Sequence, residues 1–268
     1  MSGETNDESR LPPTAIDPTP ALAQLDHSAD RLTPTSPDPL VSFVMPAHNE
    51  AASIEDVLRR LYALPLRAEV IAVDDASTDD TAAILERWAD SHGLILLRHD
   101  RNLGKGAALR SAFPRTTGEI VVIQDADMEY DPADVVDLVR PIVEGYADVV
   151  YGSRLAGGKP QRAYMFWHRV GNQMLALLTN VLWNTTLTDM ETGYKAFRGE
   201  IIRSFTLTAD DFRIEPEMTS EALRRKLRLY ELPIAYYGRT EGEGKKITWR
   251  DGFPAVWTLL RLRFGPRR

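Results

Sequence analysis

Asp125-Ala126-Asp127 sets two carboxylates two residues apart, directly after the apolar run Ile120-Val121-Val122-Ile123 and Gln124. Carboxylates so spaced at a strand end can share a hard divalent cation with the phosphate oxygens of a substrate. Mg2+ or Mn2+ suits such a place, because these ions keep open positions for water and phosphate. Glu129 continues the spacing as a third candidate ligand. A solvated acidic turn has the same pattern, so the chemistry depends on the rest of the chain.

Three further segments supply that context. Pro46-Ala47-His48-Asn49-Glu50 and Val73-Asp74-Asp75-Ala76-Ser77-Thr78-Asp79 each follow an apolar run. Acids at strand ends can accept hydrogen bonds from a base N–H or a ribose hydroxyl. Asn49 and Ser77 are equally suited to cap helices, and the two roles are compatible. Arg101-Asn102-Leu103-Gly104-Lys105-Gly106 brings two glycines and a lysine to a helix start, where backbone N–H groups and an ammonium favour a diphosphate. The spacing is not that of a Walker motif.

The elements that must position these residues are readable up to about residue 148. Leu40–Met45 reads as a buried strand, and Ile54, Val57, Leu58 and Leu61 form the apolar stripe of a helix. Val70–Val73 is a second strand, followed by a helix through Ile84, Leu85 and Trp88 that Ser77 or Thr78 can cap. Leu94–Leu97 is a third strand and Ile120–Ile123 a fourth. Apolar strands alternating with helices predict a Rossmann-like α/β fold, a mostly parallel sheet with helices on both faces in one catalytic domain. Ligands of such sheets lie at the carboxyl ends of the strands, where the polar clusters fall. Further on, Val149–Tyr151 reads as a short strand before Gly152-Ser153-Arg154. A long helix carries Val170, Met174, Leu177, Leu178 and Val181 on one face. A loop at 188–194, a helix near Glu215–Lys226 and a strand at Leu229–Tyr237 follow.

The 268 residues carry a net charge of −7, which argues against general nucleic-acid binding, and no cysteine, which excludes disulfides and thiolate metal sites. Residues 1–39 hold seven prolines and nine Ser or Thr without apolar periodicity, and read as a disordered leader. The basic, aromatic segment 247–268 reads as an amphipathic helix, either interfacial beside anionic lipid or packed on the catalytic domain 40–246. No secretory signal or membrane span is evident, so the expected location is cytoplasmic, peripheral on the inner face of a membrane.

In order and spacing, Val44–Glu50, Val73–Asp79, Asn102–Gly106, Gln124–Glu129 and Tyr151–Arg154 resemble the family 2 inverting glycosyltransferases of GT-A fold, in particular the dolichol- and polyprenyl-phosphate mannose or glucose synthases. The resemblance implies transfer of a sugar from a UDP- or GDP-linked donor to a polyprenyl phosphate. It implies donor contacts from Pro46, Ala47, Glu50, Asp75, Lys105 and Asp125, and metal ligation by Asp125 and Asp127. Glu129 stands where that branch commonly has a glutamine ligand. Arg154, joined by Arg169 at the head of the long helix, would meet the acceptor phosphate. Asp189–Tyr194 with Phe197-Arg198 resembles a further block of that branch, and 236–246 its flexible loop, whose Arg239 would contact the donor diphosphate. The glycines of 238–246 predict a lid that is mobile until donor binds.

A phosphate acceptor is already anionic near neutral pH and needs no strong base, and the resemblance implies Asp127, Arg154 and Arg239 as the catalytic set. A glycan, lipid or small-molecule hydroxyl would need a base, with Asp189, Glu191 and Glu217 as candidates. A sugar nucleotidyltransferase shares the parallel sheet, but its usual glycine-rich loop is absent from Pro46–Glu50.

Overall fold

The computed structural model describes residues 35–163, 166–239 and 252–265. Most of the expected leader, loop residues 240–246 and the start of the basic tail, with Trp249 and Arg250, lie outside them, as do Arg267 and Arg268.

The first half alternates as its sequence predicts: β1 (Leu40–Ala47), α1 (Ile54–Tyr62), β2 (Arg67–Asp74), α2 (Thr81–His92), β3 (Ile95–Arg98), α3 (Lys105–Ala112) and β4 (Ile120–Ile123). Then come α4 (Val135–Val143), β5 (Val149–Ser153), α5 (Phe166–Trp183), β6 (Lys195–Arg198), α6 (Gly199–Arg203), α7 (Ile214–Arg224), β7 (Leu229–Pro233) and α8 (Gly252–Phe264). The seven strands form one sheet in the order β3-β2-β1-β4-β6-β5-β7. All neighbours are parallel except β6, which runs antiparallel to both β4 and β5.

Burial follows the alternation of side chains along each strand. Val41, Phe43 and Met45 of β1 face a core completed by α1, α2 and α4, and Val44 faces the opposite core with α3, α6 and α7. Helices therefore cover both faces, as expected. Ile54, Val57, Leu58 and Leu61 are the buried stripe of α1.

Two readings need correction, and a third gains an orientation. Ser77 does not cap α2: its Oγ accepts from the Asn49 amide, Asn49 Oδ1 accepts from the Thr78 amide, and Asp79 takes the amide of Thr81 instead. These bonds tie the ends of β1 and β2 together. The strand begun at Leu229 ends at Pro233, which has no N–H to extend the ladder, and Tyr236 makes only isolated bridges to Tyr130 and Gln161. The apolar face of α5 is not a core face. Met174, Leu177 and Val181 are 66, 62 and 73% exposed, and α5 instead buries Leu175, Ala176 and Thr179.

Of the two alternatives for the tail, α8 shows packing on the catalytic domain. Ala255 and Leu259 pack with Leu175 and Met190 in a third cluster, whereas Trp257 and Phe264 are exposed. Among the described residues no helix is long and apolar enough to cross a membrane.

Candidate active site

The loops at the carboxyl ends of β1, β2 and β4 open into a cavity of about 720 Å3. Its wall includes all eleven residues expected to meet donor, metal or acceptor phosphate: Pro46, Ala47, Glu50, Asp75, Lys105, Asp125, Asp127, Glu129, Arg154, Arg169 and Arg239. Three non-glycine residues, Asn49, Ala76 and Met128, adopt positive φ (57° each) in the turns after these strands. L-residues rarely adopt that conformation, and it is found where surrounding structure over-determines a functional turn.

Asp75 is buried and organises the phosphate-type loop. Its carboxylate accepts from the amides of Leu103 (2.9 Å) and Gly104 (2.7 Å), and His99 Nδ1 lies 2.7 Å from it. Gly104 has φ +96° where a Cβ would meet Asp210 O at 2.6 Å, so glycine is required at the start of α3. That turn aims Lys105 at two acids, Asp125 (2.9 Å) and Glu215 (3.2 Å). Burial alone would lower the ammonium's pKa, but these two carboxylates override it and hold the value well above the usual lysine range.

The expected set of Asp125, Asp127 and Glu129 is not gathered as a preformed cage. Among the described residues no group of three or more His, Asp or Glu side chains converges as metal ligands. Each carboxylate is drawn to a different partner. Asp125 takes Lys105, Asp127 takes Arg239 (2.9 Å), and Glu129 accepts from the Tyr236 hydroxyl (3.0 Å) and the Arg239 amide (2.7 Å). Arg239 also reaches Glu50 (2.9 Å). Burial, then the charges of Asp125 and Glu129, push the Asp127 carboxyl up to about 7, against the pull of Arg239. A buried excess of hard oxygen donors beside an open cavity fits Mg2+ or Mn2+ well, with Asp125 and Asp127 as ligands and the remaining positions left to water or phosphate. Arg239 is thus held by the carboxylates that such an ion would neutralise. The sequence expected this arginine on a diphosphate.

Gly193 packs behind Asp125, and a Cβ there would collide with Asp125 Oδ2. Gly193→Ala should therefore displace the carboxylate and weaken Mn2+ binding by about tenfold, the usual scale for disturbing a ligand's support. Calorimetric titration measures this, and unchanged affinity would show that Asp125 tolerates the push.

The cavity is also lined by Arg154, which directly follows β5, by Arg162, and by His168 and Arg169 of α5. Arg154 Nε and Nη2 form a bidentate pair with Asp189 (2.7 Å each), and the Arg154 amide donates to the same carboxylate. Asp189, fully buried, is held below its usual pKa by Arg154 despite that burial. Of the three base candidates, Asp189 is therefore committed to Arg154. Glu217 turns away to bind the amides of Thr208 and Ala209. Glu191 alone of the three lines the cavity.

The sequence passed over Lys195 and Glu215. Lys195 is fully buried in β6 and Glu215 starts α7, and they pair at 2.5 Å behind Lys105. Helix α7 carries three glutamates, Glu215, Glu217 and Glu221, all buried, and of these Glu215 alone lines the cavity.

Comparison with known proteins is consistent with this geometry. The family model described as Glycosyl transferase family 2 matches residues 42–205. Glycosyltransferase AglJ of Haloferax volcanii is 33% identical over 214 residues, 79% of this chain and 68% of that protein. The UDP-N-acetylglucosamine–dolichyl-phosphate N-acetylglucosaminyltransferase of Methanococcus voltae is 28% identical, over 85% of this chain and 98% of its own. Another Haloferax volcanii relative, the low-salt glycan biosynthesis hexosyltransferase Agl6, is 31% identical over 90% of this chain, which spans 58% of its length. Among solved structures, glucosyl-3-phosphoglycerate synthase from Mycobacterium tuberculosis, in complex with Mn2+, UDP and glucosyl-3-phosphoglycerate, superposes with a TM-score of 0.64. It is 24% identical, covering 85% of this chain and 81% of that one, a likeness of fold.

Proposed function

From the membership of this chain in glycosyl transferase family 2, whose GT-A fold it has, we propose that it transfers a hexose with inversion from a UDP- or GDP-linked donor to a polyprenyl or dolichyl phosphate, using Mg2+ or Mn2+. The observation that carries this reading is that one cavity gathers an acidic cluster and several arginines. Asp125, Asp127 and Glu129 follow the end of β4, with Lys105 and Arg239 paired to them, and Arg154, Arg162 and Arg169 line the same cavity. Two anions that must meet are best received by a metal site and cationic side chains in one cavity.

Pro46, Ala47, Glu50 and Asp75 receive the nucleoside. Asp125 and Asp127 hold the metal, with Glu129 beside them, and a metal bound there supplies Lewis-acid stabilisation to the departing diphosphate. Lys105 adds a fixed positive charge next to the same phosphates. Arg239 exchanges its carboxylate partners for the donor diphosphate, adding a second positive charge beside the leaving group. Arg154, with Arg169, orients the acceptor phosphate, whose oxygen attacks the anomeric carbon without a general base. Residues 40–246 form the catalytic domain in this reading.

A lipid-borne acceptor requires a membrane surface. Helix α5 borders the cavity through His168, Arg169 and Asn172, and the same helix exposes Trp167 and its Met174–Val181 stripe. Helix α8, packed against it, exposes Trp257 and Phe264 beside Arg261 and Arg263. Large exposed apolar side chains with flanking arginines suit the bilayer interface. We therefore place the enzyme peripherally on a membrane that presents the acceptor next to the cavity mouth.

The test is nucleoside diphosphate release from a panel of UDP- and GDP-sugars with Mn2+ or Mg2+, with and without polyprenyl phosphate in vesicles. Stimulation of about tenfold or more by the lipid phosphate, lost with EDTA, is expected. Stimulation by sugar or lipid hydroxyls but not by the phosphate would transfer the reading to a hydroxyl acceptor.

A further inference from the structure

Glu191 lies between α5 and β6, on the cavity wall that also holds Arg154 and Arg169. Its Oε1 is shielded from solvent and has no hydrogen-bond partner. The carboxylates nearest to it are already engaged, Asp189 by Arg154 and Glu215 by Lys105 and Lys195. A shielded carboxylate oxygen without a partner, on a residue that lines a substrate cavity, is a group that a ligand is expected to satisfy.

The charged groups facing it come from four places: Glu215 of α7, Lys195 of β6, Arg154 at the end of β5, and Asp189 in its own loop. Burial and the charge of Glu215 push the Glu191 carboxyl up to about 7, with Lys195 and Arg154 opposing. Near neutral pH much of it is a carboxylic acid, which carries an O–H that it can donate. Its ionised form would repel any anion drawn to Arg154.

We propose that Glu191 contacts the acceptor directly, its acid form donating a hydrogen bond to a phosphate monoester seated against Arg154. The proposal rests on the phosphate-acceptor reading above. The monoester offers several strong acceptor oxygens, and one is matched to the single donor of the acid. No proton is transferred in the step. Glu191 keeps its proton while the acceptor is bound, and its ionisation expels the acceptor.

The experiment uses the full chain with Mn2+ and UDP or GDP, whichever the donor panel selects, titrated calorimetrically with farnesyl phosphate from pH 6.5 to 8.5. Wild-type affinity for the monoester should fall about tenfold over that range as Glu191 ionises. Glu191→Gln keeps an uncharged N–H donor, so its affinity should stay level or rise as the monoester becomes dianionic. Glu191→Ala should bind weakly at both ends of the range. Nucleotide affinity should be unchanged in both variants, with melting curves confirming that each is folded. A wild-type profile indistinguishable from that of Glu191→Gln overturns the proposal and leaves the acceptor reading standing. Loss of nucleotide affinity in Glu191→Gln assigns the residue to the donor and also overturns it. A Glu191→Gln enzyme with normal monoester binding and no turnover makes Glu191 a base for a hydroxyl, which overturns it as well. Failure of any phosphate monoester to bind wild type at any pH removes the acceptor reading itself.

Discussion

Asp127→Asn should lower sugar transfer by about a thousandfold while raising the melting temperature of the metal-free protein at pH 8. The two effects have one origin. Asp127 is held near Asp125 and Glu129 in a buried position that pushes its carboxyl up to about 7. An acid whose pKa is raised by folding binds its proton more tightly in the folded chain, so stability falls as the pH rises from the unfolded value to the folded one, and the full cost is present above the folded value. The cost is absent below about pH 4, where the carboxyl is protonated in both states. Asparagine removes it, and Arg239 keeps Glu50 at 2.9 Å, so the arginine is not left alone. The stabilisation should therefore appear at pH 8, shrink through pH 6 and vanish near pH 4. Thermal melts in EDTA across that range, with transfer assayed in Mn2+, measure both effects. Full turnover would remove the metal role. A lower melting temperature at pH 8 would show that the Asp127–Arg239 pair outweighs the repulsion.

Arg154→Ala is expected to have the opposite effect on the fold, a loss of about 3–5 kcal/mol, the usual consequence of leaving one partner of a buried ion pair alone. Asp189 is fully buried and receives two guanidinium N–H groups and one amide from Arg154. For a chain of this size the loss corresponds to a fall in melting temperature of about 10 °C. The double variant Arg154→Ala/Asp189→Asn should recover most of it, because the uncompensated charge is gone. Arg154→Lys retains the charge but not the planar fork, so it should raise the acceptor KM far more than the donor KM. Equal changes in both would assign Arg154 to the donor or to the fold alone. An unchanged melting temperature for Arg154→Ala would show that the buried pair contributes nothing.

The acidic part of the cavity was legible because each apolar run ends abruptly in acids or a glycine turn. Burial of Ile120–Ile123 and exposure of Asp125 to the cavity are two statements of one sequence pattern. The part built from the second half of the chain was harder for identifiable reasons. Strand β6 is four residues long and begins with Lys195, a polar residue whose burial depends on Glu215 from α7 and the carbonyl of Met190. No local period announces such a strand. Glu215 and Glu217 differ only in helix phase, and α7 buries so many positions that amphipathicity gives no guide. The face of α5 was read correctly as apolar, but hydrophobicity alone does not say which solvent a face meets. Arg239 was found through its motif, whereas its partners Glu50 and Asp127 lie far away in sequence.

The antiparallel strand β6 also fixes an order of assembly. The strands β1 to β4 pair only among themselves until β6 arrives, through parallel units closed within residues 40–123. Strand β5 touches that half only by way of β6, which is synthesised some 40 residues later. As the chain leaves the ribosome, β1 to β4 can therefore pair while β5, which precedes Arg154, still has no neighbour in the sheet. Contacts between distant segments form slowly because the intervening chain must first be closed into a loop. Refolding should therefore be biphasic, with nucleotide binding regained before Arg154 is in place, and the slow phase timed by the insertion of four residues.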